Sequence, residues 1–228
     1  MNKVFIIEGE IAAGKTELIK SLNQYLTNQG LKVCLILEPV DMWRSVGILQ
    51  KFYENPKRYG YAFQTYVFST LIQNINKQMK ENYDIIILER SPATSQIFMM
   101  LLDEVLEEVE KEMYKSWCDT FKELLHIDFQ QVKVLYLKPN LSTCMERLMI
   151  RNRKEETSGG VSLEYQTKLR KAHEAFFQNM HKEEFPNTPI NPFKQENITV
   201  LDGDFADQDF TINGKKDIVE KIWSMLNY

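Results

Sequence analysis

The sequence has little cysteine, and its three residues, Cys34, Cys118 and Cys144, are odd in number and far apart. That excludes a disulfide framework and fits reduced thiols in a cytoplasmic setting. None has the spacing of a metal-ligand cluster. Long apolar runs are missing as well, so no stretch reaches membrane-spanning length. The N-terminus leads straight into a core strand, without the charged and apolar regions of a signal peptide. An excess of positive charge is also lacking. Lys and Arg number 28 against 32 Asp and Glu, a formal net charge of −4, which leaves no electrostatic footprint for nucleic acid or an anionic membrane. There is no internal repeat and no low-complexity tract. What is present is an ordinary globular balance, 43% hydrophobic and 26% charged over 228 residues, which suits one domain over 1–228.

The most informative segment is Gly9-Glu10-Ile11-Ala12-Ala13-Gly14-Lys15-Thr16, a G-x-x-x-x-G-K-[ST] phosphate-binding loop. Val4–Ile7 before it reads as a buried strand, and Glu17–Leu22 after it as a helix. In such a loop consecutive backbone N–H groups wrap a polyphosphate, and glycine permits the close approach. Lys15 then supplies a point charge to the phosphates and Thr16 a hydroxyl to Mg²⁺. The chain is expected to bind a nucleoside triphosphate. No N/T-K-x-D sequence for guanine recognition is present, which argues against a GTPase.

Five short β-branched runs, Val4–Ile7, Lys32–Leu37, Asp84–Leu88, Val132–Leu137 and Ile198–Leu201, are separated by long helical patterns. This predicts an α/β fold with a five-stranded parallel sheet flanked by helices. Ligands bind such sheets beyond the carboxyl ends of the strands, where Glu38-Pro39-Val40, Glu89-Arg90-Ser91 and Asp202-Gly203-Asp204-Phe205 fall. Helices are expected over Tyr61–Lys80, Gln96–Leu125, Ser142–Arg153 and Leu163–Met180, and a proline-rich loop over Phe185–Asn197. Asp103–Glu112 reads as a solvated outer face.

Arg147, Arg151 and Arg153 concentrate positive charge near one helix end, with Arg147 and Arg151 four apart on one face. Beside a bound triphosphate such arginines neutralise the transferring phosphoryl group; otherwise they pair with Glu146, Glu155 and Glu156 at the surface. Gly159-Gly160 offers a hinge for a closing lid over about 147–162. Glu38 could take the proton from an attacking hydroxyl, or be satisfied by a helix N-terminus or by Arg90. Glu89 ends a Walker B-like strand with Glu in place of Asp, or pairs with Arg90.

Together these segments resemble the deoxyribonucleoside kinases. The resemblance is carried by Ile7 to Thr16, Glu38-Pro39-Val40 with Trp43, Leu49 to Pro56, Phe63-Gln64-Thr65-Tyr66, Glu89-Arg90-Ser91, and Arg147–Glu156 followed by Leu163-Glu164-Tyr165. It covers nearly the whole chain in order. It implies a P-loop nucleoside-kinase fold with an arginine-rich lid, ATP and Mg²⁺ as cofactors, a small deoxynucleoside as substrate, and a homodimer. By the same resemblance Glu38 is the base that activates the 5′-hydroxyl, Arg90 orients it, Lys15 and Arg151 act on the phosphoryl group, and Thr16 and Glu89 face the metal. Arg147, Arg153, Asp204 and Phe205 join the loop in holding the nucleotide. Tyr53 and Glu156 hold the sugar 3′-hydroxyl, Gln64 pairs with the base edge, and Trp43, Leu49, Phe52, Phe63 and Val67 wall the pocket.

The deoxycytidine-specific members of that family carry an Arg–Asp pair at the far side of the base pocket, and the matching positions here are Leu71 and Ser95. A shorter, more apolar end leaves space for a thymine methyl group, so thymidine is expected to be preferred, with other pyrimidine deoxynucleosides used less well. Ile97, Leu101 and Val105 are candidates for the dimer contact. Two rivals remain: a nucleoside monophosphate kinase, and a nucleotide-binding regulator without transfer activity. Against the first, a carboxylate at Glu38 would repel a dianionic acceptor.

Overall fold

The computed structural model describes residues 3–79, 81–125, 127–158, 160–203, 207 and 216–227. Its strands are β1 (Lys3–Gly9), β2 (Val33–Ile36), β3 (Ile85–Glu89), β4 (Lys133–Lys138) and β5 (Ile198–Asp202). They form one sheet in the order β2-β3-β1-β4-β5, parallel throughout. The helices are α1 (Lys15–Asn28), α2 (Val40–Ser45), α3 (Ile48–Glu54), α4 (Pro56–Gln78), α5 (Gln96–Met100), α6 (Glu108–Leu124), α7 (Leu141–Arg151), α8 (Lys154–Thr157), α9 (Leu163–Gln178) and α10 (Lys216–Asn227).

The apolar runs have no polar alternation because both faces of the sheet are covered. Side chains still alternate between faces. Phe5, Ile7, Ile85, Ile87, Leu135 and Leu137 pack with Leu18, Ile19 and Leu22 of α1 and Ile222 and Leu226 of α10. Ile6, Ile86, Leu88, Val134 and Tyr136 face the other way, against Phe68 and Ile72 of α4, Ile97 of α5, Tyr114 of α6, and Leu169 and Phe176 of α9. A third cluster lies apart from the sheet: Trp43, Leu49, Phe52, Phe63, Val67, Leu71, Leu102 and Leu106.

That third cluster accounts for the main departures from expectation. The expected helix over Gln96–Leu125 is broken, because Leu102 and Leu106 turn into the cluster. The intervening N–H groups make tight bonds instead, Val105 to Leu102 O and Leu106 to Leu102 O, both at 3.0 Å. Helix α6 then restarts with Glu110 accepting the Glu107 N–H at 3.0 Å, half of a capping box. Helix α4 starts earlier than its periodicity suggests. Asn55 caps it by accepting the Arg58 N–H at 3.1 Å, and Pro56 occupies its first position, a pairing that suits both residue types. Short helices α2, α3 and α8, and α10, are additions to the expected set.

Ile97 is fully buried and so serves the chain's own core rather than a dimer contact, while Leu101 and Val105 pack against the clusters from partly buried positions. The acidic stretch is not uniformly solvated, since Leu106 is 7% exposed while Val109 is 59% exposed.

Candidate active site

At the end of β1 the chain must turn hard against β4. Gly9 has φ +153°, and a Cβ there would lie 2.3 Å from the Leu137 carbonyl oxygen, so only glycine fits. Ala12 (φ 62°) and Gly14 (φ 101°) are also left-handed, the alternation that turns successive N–H groups toward an anion. Lys15 Nζ donates to the Gly9 and Glu10 carbonyls at 3.1 and 2.8 Å, bracing the loop across its mouth. Burial lowers the Lys15 ammonium to about 8, with repulsion from Arg90 adding to it and Glu38, Glu89 and Glu8 opposing.

Thr16 Oγ1 donates to Glu89 Oε1 at 2.6 Å. A hydroxyl and a carboxylate thus meet beside the loop lysine, the oxygen donors that a hard divalent cation carried by a polyphosphate could take. Among the described residues no group of three or more His, Cys, Asp or Glu forms a metal cage, so phosphate oxygens and water would complete the coordination.

Arg90 directly follows β3 and holds φ +63°, an uncommon conformation for a residue with a side chain and one that costs about 1–3 kcal/mol. Its backbone N–H is fixed on Ile7 O at 3.1 Å. Its guanidinium, 5% exposed, ion-pairs with Glu8 Oε2 at 2.9 Å and Glu38 Oε1 at 3.0 Å. The Phe98 ring lies 4.7 Å beneath it, a cation–π contact. Glu38, after β2, thereby projects between the loop and the cavity. Burial raises its carboxyl; Arg90 opposes this and the neighbouring Glu89 adds to it. A carboxylate so poised is a better proton acceptor than an exposed one.

Glu8 is the anchor that sequence reasoning missed. Burial would raise its carboxyl, but Arg90, His173 and Thr94 together hold it at about 2. Thr94 Oγ1 donates to Glu8 Oε1, and His173 Nε2 lies 3.6 Å from Oε2. A signal was present: a carboxylate inside a strand buried on both faces needs a cation.

A cavity of about 560 Å³ joins these groups to the third cluster. One end is lined by the loop from Ile11 to Thr16, Glu17 and Lys20, with Arg147, Arg151 and Arg153; the other by Trp43, Leu49, Phe52, Tyr53, Phe63, Gln64, Val67 and Phe98, with Glu38, Glu89 and Arg90 between. Phe52 and Phe63 stack at 4.7 Å, and Trp43 is pinned by its indole N–H to Thr70 Oγ1 at 2.9 Å. Gln64 is 2% exposed. Phe98 and Tyr165 line the cavity too, and neither was expected.

Some expected residues lie elsewhere. Leu71 and Ser95 do not line the cavity. Leu71 is sunk in the third cluster, and the Ser95 hydroxyl bonds the Pro92 carbonyl at 2.7 Å and the Tyr114 hydroxyl at 3.0 Å. Gly9 and Glu10 sit behind the wall, and the Glu10 side chain turns inward to Tyr136 and Arg170. Asp204 and Phe205 fall outside the described residues.

The segment after α7 closes over the cavity. Arg147 donates to the Ala13 carbonyl at 2.8 Å. Glu156, 4% exposed, ion-pairs with Arg151 at 2.5 Å and Arg153 at 3.4 Å. Glu155 reaches Arg44 of α2 at 3.0 Å. Gly160 lies against Tyr53, whose Cγ would be 2.6 Å from any added Cβ. Arg151 and Arg153 thus make the Glu156 pairs that the alternative reading named, but that carboxylate is buried, and all three arginines line the cavity.

The sequence model of the family described as deoxynucleoside kinase matches residues 5–227. The probable deoxycytidine kinase of Fowlpox virus is 29% identical over 231 residues, covering 99% of this chain and 89% of that protein. Human deoxycytidine kinase is 29% identical, covering 76% and 75%. Mitochondrial deoxyguanosine kinase of Xenopus laevis is 29% identical, covering 86% and 78%.

The Glu8 anchor sets an acid limit. An unfolded Glu titrates near 4.5 and the folded one at about 2, so the folded protein binds fewer protons between these values. The stabilisation is complete above about pH 4.5 and is lost as pH falls to 2, about 3 kcal/mol in all. Glu8→Gln is expected to flatten the stability–pH curve over that window by a similar amount, read from urea unfolding at stepped pH. Equal acid slopes in both proteins would contradict the assignment.

Proposed function

Because the chain belongs to the deoxynucleoside kinase family, we propose that it transfers the γ-phosphoryl group of ATP to the 5′-hydroxyl of a pyrimidine deoxynucleoside. The observation that carries this reading is the placement of Glu38, clamped by Arg90, between a phosphate loop and an aromatic pocket in one cavity.

In this reading the loop N–H groups and Lys15 take the triphosphate, and Arg147, Arg151 and Arg153 face the transferring group. Thr16 and Glu89 would hold Mg²⁺, which supplies charge neutralisation on the phosphates. The nucleoside lies with its base among Trp43, Phe52, Phe63 and Phe98, and Tyr53 and Glu156 receive the 3′-hydroxyl. Glu38 accepts the 5′-hydroxyl proton as the new O–P bond forms and the bond to ADP breaks. Arg90 keeps that carboxylate aimed. A monophosphate acceptor is disfavoured, because its two negative charges would meet Glu38 and Glu89.

The Gln64 amide can pair with either thymine or cytosine by rotating. The expected thymidine preference relied on Leu71 and Ser95 ending the pocket, and neither lines it. The relatives' names are those of deoxycytidine and deoxyguanosine kinases. The reading is therefore a kinase for both pyrimidine deoxynucleosides, with a modest choice between them.

A homodimer and a cytoplasmic setting complete the proposal. The three free cysteines are all buried, and among the described residues no helix is long and apolar enough to cross a membrane. Val109, Met113, Trp117 and Leu124 are exposed along α6, an apolar stripe at helical spacing that a second copy would cover.

The deciding assay is a panel of the four deoxynucleosides and their monophosphates with ATP and Mg²⁺. Thymidine and deoxycytidine are expected to be phosphorylated with kcat/KM values within about 100-fold of each other. A purine deoxynucleoside ahead of both would overturn the pocket reading, and transfer only to monophosphates would overturn the acceptor. Light scattering is expected to give twice the 26.9 kDa chain mass; a monomer at micromolar concentration would refute the dimer.

A further inference from the structure

We infer that Arg170 of helix α9 is a positioning residue for the triphosphate loop, acting through the buried carboxylate of Glu10, with Gln166 gripping the next loop residue. The inference rests on the reading that this loop binds ATP.

Glu10 is the second residue of the loop, yet its side chain is 0% exposed and points away from the cavity. Its Oε1 accepts from Arg170 Nε at 2.9 Å and from the Tyr136 hydroxyl at 2.7 Å. Among the described residues its Oε2 has no hydrogen-bond partner. Arg170 also donates to the Pro139 carbonyl at the end of β4, so its guanidinium is fixed at both ends. One turn earlier on the same helix face, Gln166 Nε2 donates to the Ile11 carbonyl at 2.6 Å.

Two successive loop residues are thus gripped from α9. The Glu10 main-chain carbonyl in turn accepts the Lys15 ammonium at 2.8 Å. Contacts therefore run from Arg170 through the Glu10 side chain and backbone to the lysine that meets the phosphates. Helix α9 also begins just beyond the closing segment, whose Val161 packs with Ala12 and Leu148, with Ile11 and Tyr165 alongside. The helix ties that segment and the loop into one body.

Fold stability alone does not require such a pair, since replacing a buried ion pair with apolar residues is commonly neutral or stabilising. An N–H cradle does require a fixed backbone, because a misplacement of about 1 Å can cost about 100-fold.

The test uses the full chain, with dissociation constants for Mg²⁺–ATP and for deoxycytidine measured by calorimetry. Glu10→Gln/Arg170→Met removes both charges together, leaving none unpaired in the interior; Gln166→Leu probes the second grip independently. Thermal unfolding identifies the folded variants. Both are expected to bind ATP about tenfold more weakly, with KM for ATP rising in step and deoxycytidine affinity unchanged. Arg170→Lys, which keeps the charge beside Glu10, is expected to lose less ATP affinity than the double variant. Unchanged ATP affinity in a folded Gln166→Leu or double variant would overturn the inference, as would ATP and deoxycytidine affinities falling together. A wild-type chain that bound no ATP would overturn the kinase reading and this inference with it.

Discussion

One guanidinium holds this molecule's chemistry together. Arg90 lies buried in a left-handed conformation between Glu8 and Glu38, with Glu89 and Lys15 close enough to shift its neighbours' titration. Three carboxylates and two cations meet here, so one negative charge is left over where a divalent cation would arrive with its polyphosphate. Removing the guanidinium would leave buried carboxylates facing each other, which low-dielectric surroundings do not tolerate. The strain at Arg90 and the buried Glu8 are features of one clamp.

The sheet makes that clamp possible. Glu8 is the penultimate residue of β1, Glu38 follows β2, Glu89 ends β3 with Arg90 directly after it, and these strands are neighbours in the order β2-β3-β1. The register pairs Ile7 with Glu89, so the functional residues of separate strands finish at one level. Helices on both faces exclude water from the strands, while the third cluster builds a separate apolar wall beyond their ends. In the proposed reading, phosphate chemistry and base recognition thus share one cavity but rest on different packing units.

Much of this was legible from residue order. The strands were, because a parallel sheet covered on both faces demands unbroken β-branched runs. The phosphate loop was, because its glycines answer a local steric demand, seen at Gly9 against Leu137. Less legible were features set by distant packing. The break between α5 and α6 depends on Leu102 and Leu106 reaching a cluster built by α2, α3 and α4. Leu71 shares a helix face with Gln64 and Val67, yet the wall closes before it. Glu8, a charge in an apolar strand, announced that it needed a partner but not which one. Arg170 and His173 resembled ordinary polar residues of an amphipathic helix until the fold set them against Glu10 and Glu8.

The central claim is that Glu38, held by Arg90, is the base that activates the nucleoside hydroxyl. Single-turnover phosphoryl transfer in Glu38→Gln, with nucleoside and ATP affinities measured on the same protein, tests it most directly. The account predicts a rate reduced by about 10² to 10⁴ with both ligands still bound. Transfer at close to the wild-type rate would contradict it.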